Sequence, residues 1–324
     1  MSIFDEQVSR KPDFYPWTEQ FLEAAQSNLW THREFTFQSD IQDFKVNMTK
    51  EEQDMIIRSL SCIGQLEISV KKFWAKLGDN LPHPSLYDLG YMFAYQEIIH
   101  SSSYERLLEV LGIEDAFDQV LEMPILKGRV NYLKKYLHKF HSDNRKQFIY
   151  SIILFTVFVE NIALFSQFYT CMWFKKYKNY LKDTEKQTEY SSREENLHHD
   201  GGCRIINEIH SEHPELFDDE LKDRVVEESQ NAVEYEFKII DWILGDFYHE
   251  YLNKELLYNF IKNRLNNSLV KIGYDPMFEI DQELLKKTHW FTEQIEGNNQ
   301  QDFFDNRPTE YSKLSQSFDE ESLF

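Results

Sequence analysis

The stretch from Phe148 to Phe174, FIYSIILFTVFVENIALFSQFYTCMWF, carries a single charge, Glu160, in 27 residues. A run so long and apolar has the length of a membrane span, or of a helix buried on every side at the centre of a large bundle. Context favours the bundle. Asn161, Ser166 and Gln167 stand near Glu160 in mid-run, no second run of similar length occurs, and the flanking sequence has the period of amphipathic helix. An isolated carboxylate in such a core is costly unless it is paired or holds a cation. Glu160 is therefore the residue from which the rest is read.

Outward from that run, apolar positions recur at helical spacing almost everywhere after residue 15. Thr49 with Glu52 forms a capping box at the start of a run to about Leu77. A second run follows Pro84 and places Leu86, Leu89, Phe93, Glu97, His100, Tyr104, Leu108 and Leu111 on one face before Gly112 stops it. Further helices are expected over about 143–177, 183–211, 218–246 and 253–271, and no alternation of period two is long enough for a sheet. The expected fold is all-α: one helical domain over 1–296, then a polar, turn-rich flexible tail over 297–324.

Charge narrows the partners. With 35 basic and 56 acidic side chains in 324 residues the net charge is −21, and no local basic stripe offsets it, so neither nucleic acid nor an anionic membrane is expected as a partner. Cys62, Cys171 and Cys203 lie far apart without paired spacing, as in a reduced cytoplasmic setting. The opening MSIFDEQVSRKPDFYPW lacks a basic segment followed by an apolar one, so no signal peptide is expected.

Two segments repeat one pattern: Glu97-Ile98-Ile99-His100 and Glu195-Asn196-Leu197-His198, each with Glu and His three apart on a helix. That spacing puts carboxylate and imidazole on one face. Each is preceded one helix earlier by another carboxylate, Glu67 by 30 residues and Glu160 by 35. Four carboxylates and two histidines from four helices is the ligand set of ferritin-like dinuclear carboxylate proteins. Such oxygen-rich ligation suits iron or manganese. A lone Glu-x-x-His in an acidic helical protein is commonly a solvated pair; the doubled and preceded pattern is what carries the metal reading. His199 points about 100° away from His198 round the helix and is not expected to bind. Glu194 is either a surface charge or a partner to a ligand histidine. Tyr104, one turn after His100, is either a packed core tyrosine or a residue that an oxygen-activating metal pair can oxidise.

These residues resemble the radical-generating small subunit of class I ribonucleotide reductase. The likeness lies in Glu97-Ile98-Ile99-His100-Ser101-Ser102-Ser103-Tyr104 and Arg193-Glu194-Glu195-Asn196-Leu197-His198. It extends to the Glu160 helix, the Trp30 segment (Asn28 to Thr31, then Phe37 to Asp40), Asn263-Arg264 with Gly273, and the tail with Phe303-Phe304, Arg307 and Glu310-Tyr311. The resemblance implies a ferritin-like bundle, a homodimer, and two metal ions per chain held by Glu67, Glu97, His100, Glu160, Glu195 and His198. Iron is the expected metal, with manganese or a mixed pair as alternatives. It further implies a tyrosyl radical at Tyr104, and a transfer path through His100, Glu194 and Trp30 with Tyr311 as its mobile outer relay. The tail would dock on a large subunit that reduces ribonucleotides. Glu67 and Glu194 stand where most members carry Asp. Two other readings of the same ligands are a stand-alone ferritin-like oxygenase or oxidase, and a metal-storage or structural bundle.

Overall fold

The computed structural model describes residues 2–296; the tail 297–324, with Tyr311, and the side chains of residues 67–69 and 121 lie outside the described residues. The described residues form a helical bundle with no strand among them, which agrees with the all-α expectation. Its main helices are α1 (Thr18–Ser27), α2 (Lys50–Ala75), α3 (Pro84–Leu111), α4 (Asn144–Leu154), α5 (Phe165–Trp173), α6 (Lys182–Glu212), α7 (Asp219–Leu244) and α8 (Lys254–Lys271). Sequence signals set most of these boundaries. The Thr49 N–H donates to Glu52 Oε2 at 2.9 Å and the Glu52 N–H to Thr49 Oγ1 at 3.3 Å, which satisfies orphan amides where α2 starts. Gly112 ends α3 with φ of 69°, a conformation that costs glycine nothing. Asp218 and Asn253 cap α7 and α8 in the same manner as Thr49 caps α2.

The bundle core is built from α2, α3, α5 and α6 with the segment leading into α5. α2 and α3 pack along each other as a hairpin, and α5 does the same with α6. Close approach at Gly90 and Gly202 bears on the site. A Cβ on Gly90 of α3 would lie 2.6 Å from the Trp74 carbonyl oxygen, and one on Gly202 of α6 would overlap the Thr156 side chain. Glycine at both places lets the helices that bring Glu97 and Glu195 sit against their neighbours.

The single helix expected over 143–177 is not continuous. α4 ends at Leu154, a wider π-type turn occupies Phe155–Val159, and turns run to Leu164 before α5 begins. Across the break the ladder slips by one residue: the Glu160 N–H bonds to Phe155 O at 3.2 Å and the Ala163 N–H to Phe158 O at 2.9 Å. Carbonyls freed by the slip are taken up by two arginines. Arg129, fully buried, donates to Ala163 O and to Cys62 O, and Arg264 Nε donates to Asn161 O at 3.0 Å. Both arginines lie far away in sequence, so helical period alone gives no warning of the break. The polar residues the sequence places beside Glu160 are engaged: Gln167 with Arg129 and Ser166, Asn161 with Ser268 and Arg264. Among the described residues no helix is long and apolar enough to cross a membrane.

The segment before α2 is pinned to the start of α6. Asp183 accepts the Phe37 N–H at 2.6 Å, Asp40 accepts the Thr184 N–H at 2.7 Å, and Asp43 accepts the Leu181 N–H at 3.1 Å. Carboxylates at a helix start are favoured by its orphan amides and dipole. These contacts also hold Phe37 at φ of 55°, a strained value for a non-glycine residue. The same segment carries Trp30 into the interior.

Candidate metal centre

Five of the six predicted ligands meet at one point in the core. Glu97 and His100 come from α3, Glu195 and His198 from α6, and Glu160 from the turn that follows the ladder slip. All five are at most 1% exposed. His198 Nδ1 lies 2.9 Å from Glu97 Oε1 and 3.6 Å from both Glu160 Oε2 and Glu195 Oε2. His100 Nδ1 lies 3.1 Å from Glu195 Oε1 and 3.4 Å from Glu97 Oε2. Glu97 and Glu195 thus each reach both imidazoles. One atom from each of Glu97, Glu160, Glu195 and His198 falls within 4.8 Å of every other. Glu67 lies on α2, and its side chain is outside the described residues.

The donor set fits metal ions. Both oxygens of Glu97 and Glu195, Oε2 of Glu160 and Nδ1 of His198 are buried without a hydrogen bond of sound geometry. Buried polar atoms seldom go unmatched, and three carboxylates crowded in a dry interior need a cation. Oxygen and imidazole ligands from facing helices are those that hold dinuclear centres in helical bundles.

Crowding in the cluster also shifts the proton affinities of its groups. Burial, with Glu195 beside it, pushes the Glu160 carboxyl well above its ordinary 4.5. Burial opposes charge on His198, but contacts to Glu160, Glu195 and Glu97 outweigh it and hold the imidazole well above its ordinary 6.5. Glu195 moves the other way: burial would raise it, yet Glu160 and the two histidines hold it far below the usual carboxylate range. Both raised groups favour the protonated folded state, so their own contribution to the stability of the metal-free protein is expected to fall as pH climbs above about 4.5 for Glu160 and 6.5 for His198. A metal ion needs these groups bare. Uptake is therefore expected to release protons and to tighten as pH rises from 6 to 8; calorimetry in buffers of different ionisation heat measures the release, and pH-independent uptake without it would contradict the proton-filled cluster.

Around the five residues lies a layer of fixed hydrogen bonds. Trp74 Nε1 donates to Glu160 Oε1 at 2.8 Å. His100 Nε2 is 2.7 Å from Glu194 Oε2, and Trp30 Nε1 donates to that same oxygen at 2.9 Å. Gln96 Nε2 donates to Glu194 Oε1 at 2.8 Å, and its Oε1 lies 3.0 Å from His198 Nε2. Glu194 is therefore a buried partner of a ligand-set histidine, and the surface-charge alternative does not apply. Tyr104 is buried on α3 one turn beyond His100. His199 stays out of the cluster, bonded to Asp200 at 3.0 Å and to Ser268 at 2.9 Å.

Sequence reading missed Trp74 and Gln96. Trp74 follows Glu67 by seven residues, two turns along the same helical face, so a spacing signal was present. Gln96 directly precedes Glu97 and points elsewhere round the helix, so nothing in the Glu-x-x-His pattern selects it.

Comparison with known proteins now has a fold and a site to stand on. The beta subunit of ribonucleoside-diphosphate reductase from Treponema pallidum is 23% identical, over 94% of this chain and 88% of its own length. That of Chlamydia pneumoniae is also 23% identical, over 93% and 88%. The fold matches the solved ribonucleotide reductase R2 subunit from Clostridium botulinum with a TM-score of 0.77 at 22% identity, over 87% of this chain and 88% of that one. The family model of the ribonucleotide reductase small chain matches residues 9–301. With nearly the whole length matched and a buried carboxylate and histidine cluster at its core, the chain belongs to the ribonucleotide reductase small chain family.

Proposed function

We propose that this chain is the radical-generating small subunit of a class I ribonucleoside-diphosphate reductase. The observation that carries the reading is the single buried network running from Glu97, Glu160, Glu195 and His198 through His100 and Glu194 to Trp30. In this reading Glu97, His100, Glu160, Glu195 and His198, with Glu67 as sixth ligand, hold two metal ions per chain. The ions are iron, with a manganese or mixed pair as the alternative. When bound, the pair activates oxygen and supplies a one-electron oxidant.

The remaining steps fall to the chain's own residues. Tyr104 would pass one electron, with its phenolic proton, to that oxidant and so store the oxidising equivalent as a neutral phenoxyl radical in the buried core. Trp30 serves as the next relay: a proton leaving the oxidised indole at Nε1 finds Glu194 Oε2 at 2.9 Å. Glu194 in turn holds His100 by Nε2, so the relay and the ligand share one carboxylate. Residues 297–324 dock on the large subunit, with Tyr311 as the outer relay, and the helical domain over 1–296 works as a homodimer in the cytoplasm.

A stand-alone oxidase or oxygenase built on the same ligands would need no partner. Deleting residues 305–324 separates the two. Reductase activity measured with the cognate large subunit is expected to fall to background while metal content per chain stays unchanged; full activity after the deletion would overturn the reading.

A further inference from the structure

Gln96 is fully buried, and its side chain bridges Glu194 and His198. Its amide has one allowed orientation. Trp30 can only donate, and with His100 it fills Glu194 Oε2. Glu194 Oε1 takes the amide NH2 at 2.8 Å, because a carboxylate pairs with a donor rather than with a carbonyl. The Gln96 carbonyl oxygen then faces His198 Nε2 at 3.0 Å, and that nitrogen must carry a hydrogen and donate it. What is left on His198 is Nδ1, the atom 2.9 Å from Glu97 Oε1 and 3.6 Å from Glu160 Oε2. On the other branch His100 gives Nε2–H to Glu194 and turns Nδ1 toward Glu195 at 3.1 Å. Hydrogen-bond partners of this kind set tautomer and ring orientation in ligand histidines.

We infer that Gln96 is a positioning residue that fixes the tautomer of His198 and, through Glu194, ties it to His100, so that the two metal positions fill together. The inference rests on the reading of the cluster as a two-metal centre. Neither histidine is oriented independently: the amide that holds His198 by its oxygen holds Glu194 Oε1 by its nitrogen, so a turn of His198 that draws the amide with it loosens the carboxylate that holds His100 and Trp30.

Anaerobic Mn(II) titration of the metal-free full-length protein, followed by electron paramagnetic resonance and by metal content after dialysis, tests this. Wild type is expected to take up two ions together. Gln96→Met keeps the volume and makes no hydrogen bond; it is expected to bind about 10–100-fold more weakly and to pass through a single-ion species. Gln96→Glu keeps an acceptor for His198 and loses the donor to Glu194; it is expected to bind more tightly than Gln96→Met while still filling stepwise. Melting of each metal-free variant shows whether it folds, and if Gln96→Met does not, stepwise filling by Gln96→Glu carries the test. Joint filling by either folded variant at the wild-type concentration overturns the inference, as do equal losses in both. A packing role alone would lower the melting temperature without separating the two binding steps. Wild type that binds no ion pair overturns the metal-centre reading itself, and the role of Gln96 with it.

Discussion

Replacing Glu195 by Gln is expected to abolish uptake of the metal pair while leaving the helical fold intact. Glu195 is one of the two carboxylates that span the site, 3.1 Å from His100 Nδ1 and 3.6 Å from His198 Nδ1, so its loss is felt at both metal positions. Loss of an outer hydrogen-bond partner typically costs 10–100-fold in metal affinity, so loss of this charge is expected to cost at least about 100-fold. Glutamine keeps the volume, which removes a cavity as an explanation. The metal-free variant is expected to stay helical but to melt below wild type, because Glu195 is an ionised partner of His198 and its loss leaves that buried imidazole less compensated. Melting with and without added Fe(II) reads both effects. A variant that is still stabilised by metal as wild type is would show that the ions bind elsewhere.

Tyr104→Phe gives the opposite pattern. The change deletes one hydroxyl from a ring that is 1% exposed, and its cost in stability is expected to be about 1 kcal/mol. Metal content should remain that of wild type, since the buried Glu and His atoms of the cluster are untouched. Phenylalanine cannot give up a phenolic proton with an electron, so the organic radical signal formed on adding oxygen to the iron-loaded protein should vanish. Reductase activity with the large subunit is expected to fall by at least about a thousandfold, or about 4 kcal/mol of barrier. Full activity in this variant would move the stored oxidant from Tyr104 to another residue or to the metals.

The two predictions draw on different depths of sequence reading. Glu97 with His100, and Glu195 with His198, were legible because three residues along a helix fix a shared face whatever surrounds them. Glu160 was legible because a lone charge in an apolar run demands a partner. The capping box at Thr49 and the stop at Gly112 act within one turn of chain, and the helices begin and end there. What escaped notice depends on residues distant in sequence. The break at Phe155–Val159 is held open by Arg129 and Arg264 from other parts of the bundle. Gln96 matters because Glu194 and His198 arrive from another helix about a hundred residues later, at sequence separations of 98 and 102. Trp30 reaches Glu194 only because Asp40 and Asp183 tie its segment to the start of α6. Pairings of this kind have no local signature, since the physical partner is set by tertiary packing rather than by helical period.

Anaerobic titration of the metal-free, full-length protein with Fe(II), read as ions bound per chain, bears most directly on the proposal that this core holds a dinuclear centre. Uptake should saturate at two ions per chain in wild type and be lost in Glu195→Gln. Saturation at many ions per chain, as in a storage protein, or no uptake by the wild-type cluster, would contradict it.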